Sequence, residues 1–139
     1  MDLLIKNSRV VDFSQDFIGD VYIKNGIIHE IGRDLEKDCK IIDGIGKVLM
    51  PSFIDLHAHF REPGYTYKED IESGCKAAAK GGYTYVNLMA NTNPVCSNMN
   101  TVNYVIDKAD KIGLIDVHQA VSITKEFDGE TVNHIDELD

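Results

Sequence analysis

The pattern of hydrophobic and polar positions changes character near Pro51. Before this residue, short apolar runs alternate with turn residues, as in "LLIKN", "RVVD" and "KIIDGIGKVLM", a pattern typical of β-structure. In "YIKNGIIHEI" the pair Asn25-Gly26 separates two apolar runs, and both residue types tolerate the positive φ of a two-residue turn. Residues 1–50 are therefore predicted to form a β-rich unit with a hairpin at this pair.

After Pro51 the pattern alternates between strands and helices. The run "SFIDLH" is nearly continuously apolar, as expected of a parallel strand that is covered on both faces. The runs "YTYVNLM" and "LIDVHQAVSI" are predicted to form two further strands. Between them, apolar residues recur at helical spacing in two segments, which end at Gly81-Gly82 and at Gly113. The order β-α-β-α-β predicts a parallel α/β sheet over residues 51–139, and the final "TVNHIDELD" predicts the start of another helix.

Composition and charge narrow the range of functions. The 139 residues are 43% hydrophobic, which is enough for the core of one or two structural units. A net charge of −9 leaves no basic surface for a phosphate backbone, so we expect no nucleic-acid partner. The sequence contains neither a signal-peptide pattern nor an apolar run of membrane length. We expect a cytoplasmic protein without a membrane partner.

Candidate chemistry is concentrated in "IDLHAHFREPG", which begins at Ile54. Side chains alternate along a strand, so Asp55, His57, His59 and Arg61 are predicted to share one face. Two imidazoles two residues apart can bind one metal ion, and Asp55 is then a candidate for orienting a neighbouring polar group. The alternative is a chance His-x-His at a strand end. Arg61 and Glu62, which precede Pro63-Gly64, weaken that alternative, because apolar packing has no use for an inward-facing arginine.

A second polar segment, "NLMANTNPV", follows the next predicted strand. Adjacent parallel strands end at the same edge of a sheet, so Asn91 is expected near the histidines. Asn91 and Arg61 together could clamp a substrate carboxylate, with the guanidinium as a fork and the amide fixing its orientation. Taken alone, the segment is equally well an ordinary Asn-rich turn.

The two segments together, "DLHAHFREPG" and "GGYTYVNLMANTNP", resemble the amidohydrolase superfamily and, within it, the dihydroorotases of pyrimidine biosynthesis. The resemblance implies an α/β fold that is part of a metal-dependent-hydrolase (β/α)8 TIM barrel over residues 51–139. Strands of a small β-sandwich domain would precede it over residues 1–50. Ala90 stands where many relatives have proline, a departure that concerns the stiffness of the loop.

The same resemblance assigns roles to four residues. His57 and His59 would bind the more buried zinc ion of a site that usually holds two. Arg61 and Asn91 would hold the carboxylate of dihydroorotate. The implied activity is zinc-dependent, reversible hydrolysis of L-dihydroorotate to N-carbamoyl-L-aspartate in de novo UMP biosynthesis, in which zinc lowers the pKa of water and polarises the carbonyl.

A complete barrel needs roughly 250 residues. The family places its bridging ligand (a carboxylated lysine or an aspartate), two more histidines and the general acid/base aspartate on later strands, which would lie beyond Asp139. We therefore expect an amino-terminal fragment that is inactive alone and binds zinc weakly. A homodimer and an association with aspartate transcarbamoylase are expected by analogy only.

Two other functions stay open at this point. One is another cyclic amidohydrolase, such as a hydantoinase, dihydropyrimidinase or allantoinase; Arg61 and the N-T-x-P loop argue against it, since the usual substrates lack the carboxylate. The other is a catalytically silent scaffold subunit, which has no need for all four site residues. His118 could lie at the carboxyl edge of the sheet or inside it, and Glu62 either supports Arg61 or faces water.

Overall fold

In the computed structural model, which describes residues 2–132, the chain divides into two compact units with the bounds Met1–Pro51 and Ser52–Asp139. The fold is mixed α/β. The helix predicted within "TVNHIDELD" lies outside the described residues apart from its first two positions. Over residues 2–132, no helix has both the length and the apolar character needed to cross a membrane.

The first unit is a single five-stranded sheet. Its strands are β1 Leu3–Val11, β2 Asp16–Lys24, β3 Ile27–Gly32, β4 Lys40–Asp43 and β5 Val48–Leu49. The first three pair antiparallel in the order β3-β2-β1, while β4 and β5 pair parallel with β1. Between β2 and β3, Asn25 has a φ of 52° and Gly26 a φ of 80°, which confirms the predicted hairpin.

The second unit is a parallel sheet crossed by helices. It contains β6 Phe53–Ala58, α1 Ile71–Lys80, β7 Tyr83–Leu88, α2 Met99–Ile112 and β8 Asp116–Gln119, and a 3₁₀ turn follows at Lys125–Phe127. The sheet order β6-β7-β8 and its parallel pairing are as predicted. This open sheet supplies three parallel strands, and over the described residues they do not close into a barrel.

Both helices begin and end at the residue types that the sequence marks. At the start of α1, the Asp70 side chain accepts a hydrogen bond from Ser73 N at 2.7 Å, and the Ser73 hydroxyl in turn contacts Asp70 N. At the start of α2, the Asn98 side chain accepts a hydrogen bond from Thr101 N at 3.1 Å. Gly113 ends α2 with a φ of 63°, a left-handed conformation that glycine adopts at no steric cost.

The core of this unit lies on one side of the sheet only. Its buried side chains come from the helices and from the strand positions that face them: Ile71, Cys75, Val86, Leu88, Val105, Ala109, Ile115 and Val117. On β6, Ile54 and Leu56 are 60% and 69% exposed. The prediction that this strand is covered on both faces is therefore wrong for the chain described here, because no layer lies over the side of the sheet opposite the helices.

One close contact fixes the end of β6 against α1. The Phe60 ring packs on Gly74, and a Cβ atom placed on that glycine would lie 2.6 Å from the ring atoms Cγ and Cδ1. Any side chain at position 74 would therefore push Phe60, and with it the end of β6, away from the helix.

Replacing Gly74 with alanine tests this contact. Alanine favours an isolated helix over glycine by about 1 kcal/mol. We nevertheless expect Gly74→Ala to lower the free energy of unfolding by about 1–3 kcal/mol, because the added methyl overlaps the Phe60 ring. Urea unfolding measures the difference. Lys76→Ala, at an exposed position of α1, should change little, and adding Phe60→Leu should recover part of the loss. A Gly74→Ala protein more stable than wild type would contradict the contact.

Candidate active site

The paired histidines lie where β6 ends. His57 is the penultimate residue of β6, and His59 is the first residue after the strand. Their rings meet edge to face, with centroids 5.1 Å apart and planes inclined by 71°. Both side chains line one open cleft of about 470 Å³.

A bulge in β6 places them there. Asp55 pairs with Val86 and Ala58 pairs with Leu88, so three steps along β6 match two along β7. Leu56 and His57 therefore share a single opposing residue, and the alternation of faces shifts by one position at this point. Val86 and Leu88 both belong to the helix-facing core, which directs His57 to the other side of the sheet.

The bulge also separates Asp55 from the histidines. Asp55 lines a cavity of about 250 Å³ under α1, together with Phe60 and Gly74. The prediction that it shares a face with His57 is wrong, because strict alternation assumes a regular strand. Its carboxylate is still part of the local structure, since Oδ1 accepts a hydrogen bond from His57 N at 3.0 Å.

Asn91 reaches the same cleft from the loop after β7. Its Oδ1 lies 2.8 Å from His59 Nδ1, so the ends of β6 and β7 meet as predicted. The rest of the cleft is largely apolar, with Met89, Ala90, residues 120–124 and Phe127 along its wall. Arg61 is half-buried and follows His59 by two residues, but it is not among the side chains that line this cleft.

The histidine pair fits one side of a metal site. A centroid separation of 5.1 Å is compatible with two imidazoles sharing one ion at roughly 2.1 Å each. The contact with Asn91 occupies His59 Nδ1 and leaves Nε2 as the ring nitrogen available to an ion. Within residues 2–132, no group of three or more His, Cys, Asp or Glu side chains could hold a metal. The two imidazoles by themselves are therefore fewer than the ligands of a complete metal site.

The loops that follow β6 and β7 touch through their backbones. Gly64 has a φ of 92°, and a Cβ atom there would overlap the carbonyl oxygen of Asn93. Asn93 N donates a hydrogen bond to Pro63 O at 3.1 Å. The "REPG" and "NTNP" segments therefore form one joined rim, and position 64 requires glycine for both its conformation and its lack of a side chain.

Glu62 anchors this rim to both helices. Its side chain is only 4% exposed and accepts hydrogen bonds from Tyr104 Oη at 2.5 Å, Lys108 Nζ at 2.6 Å and Ile71 N at 2.9 Å. Burial raises the pKa of Glu62, but the three hydrogen bonds outweigh burial and leave its pKa below the ordinary value.

Neither role considered for Glu62 from the sequence matches these contacts. Its hydrogen-bond partners are on the two helices rather than Arg61, and it is buried rather than facing water. The only signal in the sequence is that Tyr104 and Lys108 are four residues apart on α2 and so share a helix face. That spacing does not identify their partner.

His118 lies away from the cleft. It is in β8 beside Asn87 of β7, and its ring packs against Tyr85 with centroids 4.8 Å apart. The His118 side chain is exposed on the side of the sheet opposite the helices and does not line the cleft.

The family model and two curated relatives that match this chain are all of the dihydroorotase type. The model of the family described as dihydro-orotase-like matches residues 46–139. A dihydroorotase from Clostridium botulinum is 56% identical over 139 residues, which cover 99% of this chain and 35% of that protein. A dihydroorotase from Clostridioides difficile is 49% identical over 98% of this chain and 33% of its own length. The chain thus spans about a third of the length of the curated relatives it matches.

Solved structures show a related fold. An L-hydantoinase (dihydropyrimidinase) from Arthrobacter aurescens superposes with a TM-score of 0.75 at 25% identity, covering 88% of this chain and 28% of that one. A D-hydantoinase superposes with a TM-score of 0.68 at 30% identity, over 89% of this chain and 28% of its own.

Neutralising Glu62 tests the anchor of the rim. We expect Glu62→Gln to lower the free energy of unfolding at pH 7 by about 1–3 kcal/mol, since a buried charge-assisted network is broken. Glu72→Gln is the matched control: the Glu72–Lys76 ion pair is as short as the Glu62–Lys108 pair, at 2.5 and 2.6 Å, but Glu72 is 58% exposed and its loss should matter far less.

The contribution of Glu62 to the free energy of unfolding should also depend on pH. Because the pKa of Glu62 is lowered in the folded protein, its contribution is fully present above the ordinary value of 4.5 and is lost as the pH falls below it. The difference in unfolding free energy between wild type and Glu62→Gln should therefore shrink toward pH 3. Urea titrations at several pH values measure it, and a difference independent of pH would contradict the assignment.

Proposed function

The chain belongs to the dihydro-orotase-like family, and from this premise we propose that the protein is a dihydroorotase whose amino-terminal share of the active site is described here. The reaction would be the reversible hydrolysis of L-dihydroorotate to N-carbamoyl-L-aspartate, in the de novo synthesis of UMP. The observation that carries the proposal is the meeting of His57, His59 and Asn91 in one cleft. The 56% identity to a dihydroorotase supports it.

His57 and His59 would hold zinc, with two ions in the complete site. Bound zinc would act as a Lewis acid on the ring amide of the substrate. The remaining ligands and the general acid/base aspartate would come from residues beyond Asp139, together with the other strands of the (β/α)8 barrel and of a β-sandwich built on β1 to β5. A cytoplasmic location, a homodimer and an association with aspartate transcarbamoylase stay predictions.

Arg61 and Asn91 would bind the substrate carboxylate. Arginine presents two parallel N–H groups to a carboxylate, and an amide beside it limits rotation of the bound group. Both residues belong to the rim that Glu62 and Gly64 hold in place, so the clamp would need little reorganisation on binding. Their contribution would be orientation of the ring, with its amide directed at the histidine pair.

A hydantoinase-type activity is the second candidate, favoured by the TM-score of 0.75 to an L-hydantoinase. Identity to that structure is 25%, against 56% to the dihydroorotase from Clostridium botulinum. A silent scaffold subunit would have no need to keep two imidazoles on one cleft. Reading the coding sequence past the codon for Asp139 decides whether the further ligands are present.

Two substrates that differ only in the carboxylate test the clamp. In the longest product of the gene, Arg61→Ala should lower kcat/KM for dihydroorotate about 100-fold, since two charge-assisted hydrogen bonds are lost. Turnover of dihydrouracil, which has the same ring without the carboxylate, should be unaffected. Arg33→Ala, at an exposed arginine of the first unit, is the control. An Arg61→Ala enzyme that hydrolyses dihydroorotate as well as wild type would refute the dihydroorotase assignment.

Zinc binding by residues 1–139 tests the histidine pair directly. Two ligands should bind zinc more weakly than a complete structural site, which contributes about 10–16 kcal/mol. Calorimetric titration should show binding by wild type and its loss in the double variant His57→Asn, His59→Asn. His29→Asn, a strand histidine of the first unit, should leave binding unchanged. Equal affinity in all three proteins would place the ion elsewhere.

A further inference from the structure

We propose that Asn91 is a positioning residue for His59: its side-chain oxygen accepts the proton on Nδ1 and so fixes the tautomer that leaves Nε2 unprotonated. The contact is 2.8 Å between His59 Nδ1 and Asn91 Oδ1. This role is separate from a contact with substrate. Its link to metal binding rests on the function proposed above.

The direction of this hydrogen bond follows from the two atoms that meet, because the amide oxygen of Asn91 can only accept and Nδ1 must therefore donate. A neutral imidazole carries one N–H, so one nitrogen donates and the other accepts. If the amide were turned so that its NH₂ group faced His59, Nδ1 would accept and the proton would lie on Nε2. A protonated Nε2 has no lone pair for a metal ion. Only the arrangement with Oδ1 toward the ring leaves His59 able to act as a ligand through Nε2.

The loop that carries Asn91 is held by hydrogen bonds to its own backbone carbonyl groups. Thr92 N and Cys96 N both donate to Ala90 O, at 2.9 Å each, and Thr92 Oγ1 donates to Pro94 O at 2.7 Å. The contact of the loop with the "REPG" segment adds a further restraint. The amide therefore sits on a fixed support, as a group that must select one tautomer requires.

The oxygen and the NH₂ group of the Asn91 amide would then have different hydrogen-bond partners. Oδ1 is engaged by His59, which leaves the NH₂ group as the end that can donate to a substrate carboxylate beside Arg61. One side chain would thus connect the ring that binds the ion to the clamp that binds the substrate, and its loss would disturb both.

The tautomer of His59 can be read by long-range ¹H–¹⁵N NMR of the chain at about pH 8.5, where ordinary histidines are neutral. In wild type we expect the proton on Nδ1. In Asn91→Ala we expect it to move to Nε2, the tautomer that free histidine favours, with a corresponding shift of the Nε2 signal from an unprotonated to a protonated nitrogen. The His59 signals are assigned by their loss in His59→Gln.

Asn91→Asp tests whether an oxygen acceptor at position 91 is sufficient to fix the tautomer of His59. Its carboxylate can accept the same proton, so we expect it to restore the Nδ1–H tautomer, although its charge would repel a substrate carboxylate. Asn93→Ala, an exposed amide in the same loop, should leave His59 as in wild type. Unchanged signals from His29 and His118 show that each variant is folded.

Two results would overturn the proposal: an Nε2–H tautomer of His59 in wild type, or an Nδ1–H tautomer that survives in Asn91→Ala. The measurement needs neither metal nor turnover, so it fails or succeeds independently of the dihydroorotase assignment. A zinc titration adds a second readout, in which Asn91→Ala should lose about 10–100-fold in affinity and Asn91→Asp should keep most of it.

Discussion

The single extra residue in β6 is the constraint on which the arrangement of the site depends. Before the bulge, Asp55 of β6 pairs with Val86 of β7, and both side chains lie on the side of the sheet that faces the helices. Continued alternation from that register would bury both imidazoles under α1. Because the bulge intervenes, Ala58 and Phe60 take the positions against the core, and His57 and His59 turn toward the cleft. The core-packing side chains and the two imidazoles thereby lie on opposite faces of the chain.

Beyond the bulge, the chain is held by contacts that serve the rim rather than the core. The buried carboxylate of Glu62 joins the segment after β6 to the start of α1 and to the middle of α2. Gly64 lets the backbone of that segment lie directly on Asn93. These contacts hold the rim against α1, α2 and the facing loop, which is the property expected of a site that orients a small polar molecule.

The sequence was sufficient for the order of elements, because that order depends on local signals. Helical spacing, the glycines at the helix ends and the Asn25-Gly26 turn each act within a few residues. The meeting of Asn91 with the histidines was also predictable, since parallel strands end at one edge. The face of Asp55 was not, because a bulge depends on the neighbouring strand. Two of the partners of Glu62, Tyr104 and Lys108, lie 42 and 46 residues away in sequence and could not be inferred from spacing.

The backbone contact between Gly64 and Asn93 has a consequence for how such a rim can change. Loops at the ends of sheet strands ordinarily vary in length one at a time. Here each loop is part of the surface on which the other rests, so an insertion in one would displace its neighbour. A redesign that exchanges these loops for those of a related protein would have to transfer both together and keep the glycine and the carbonyl group that faces it.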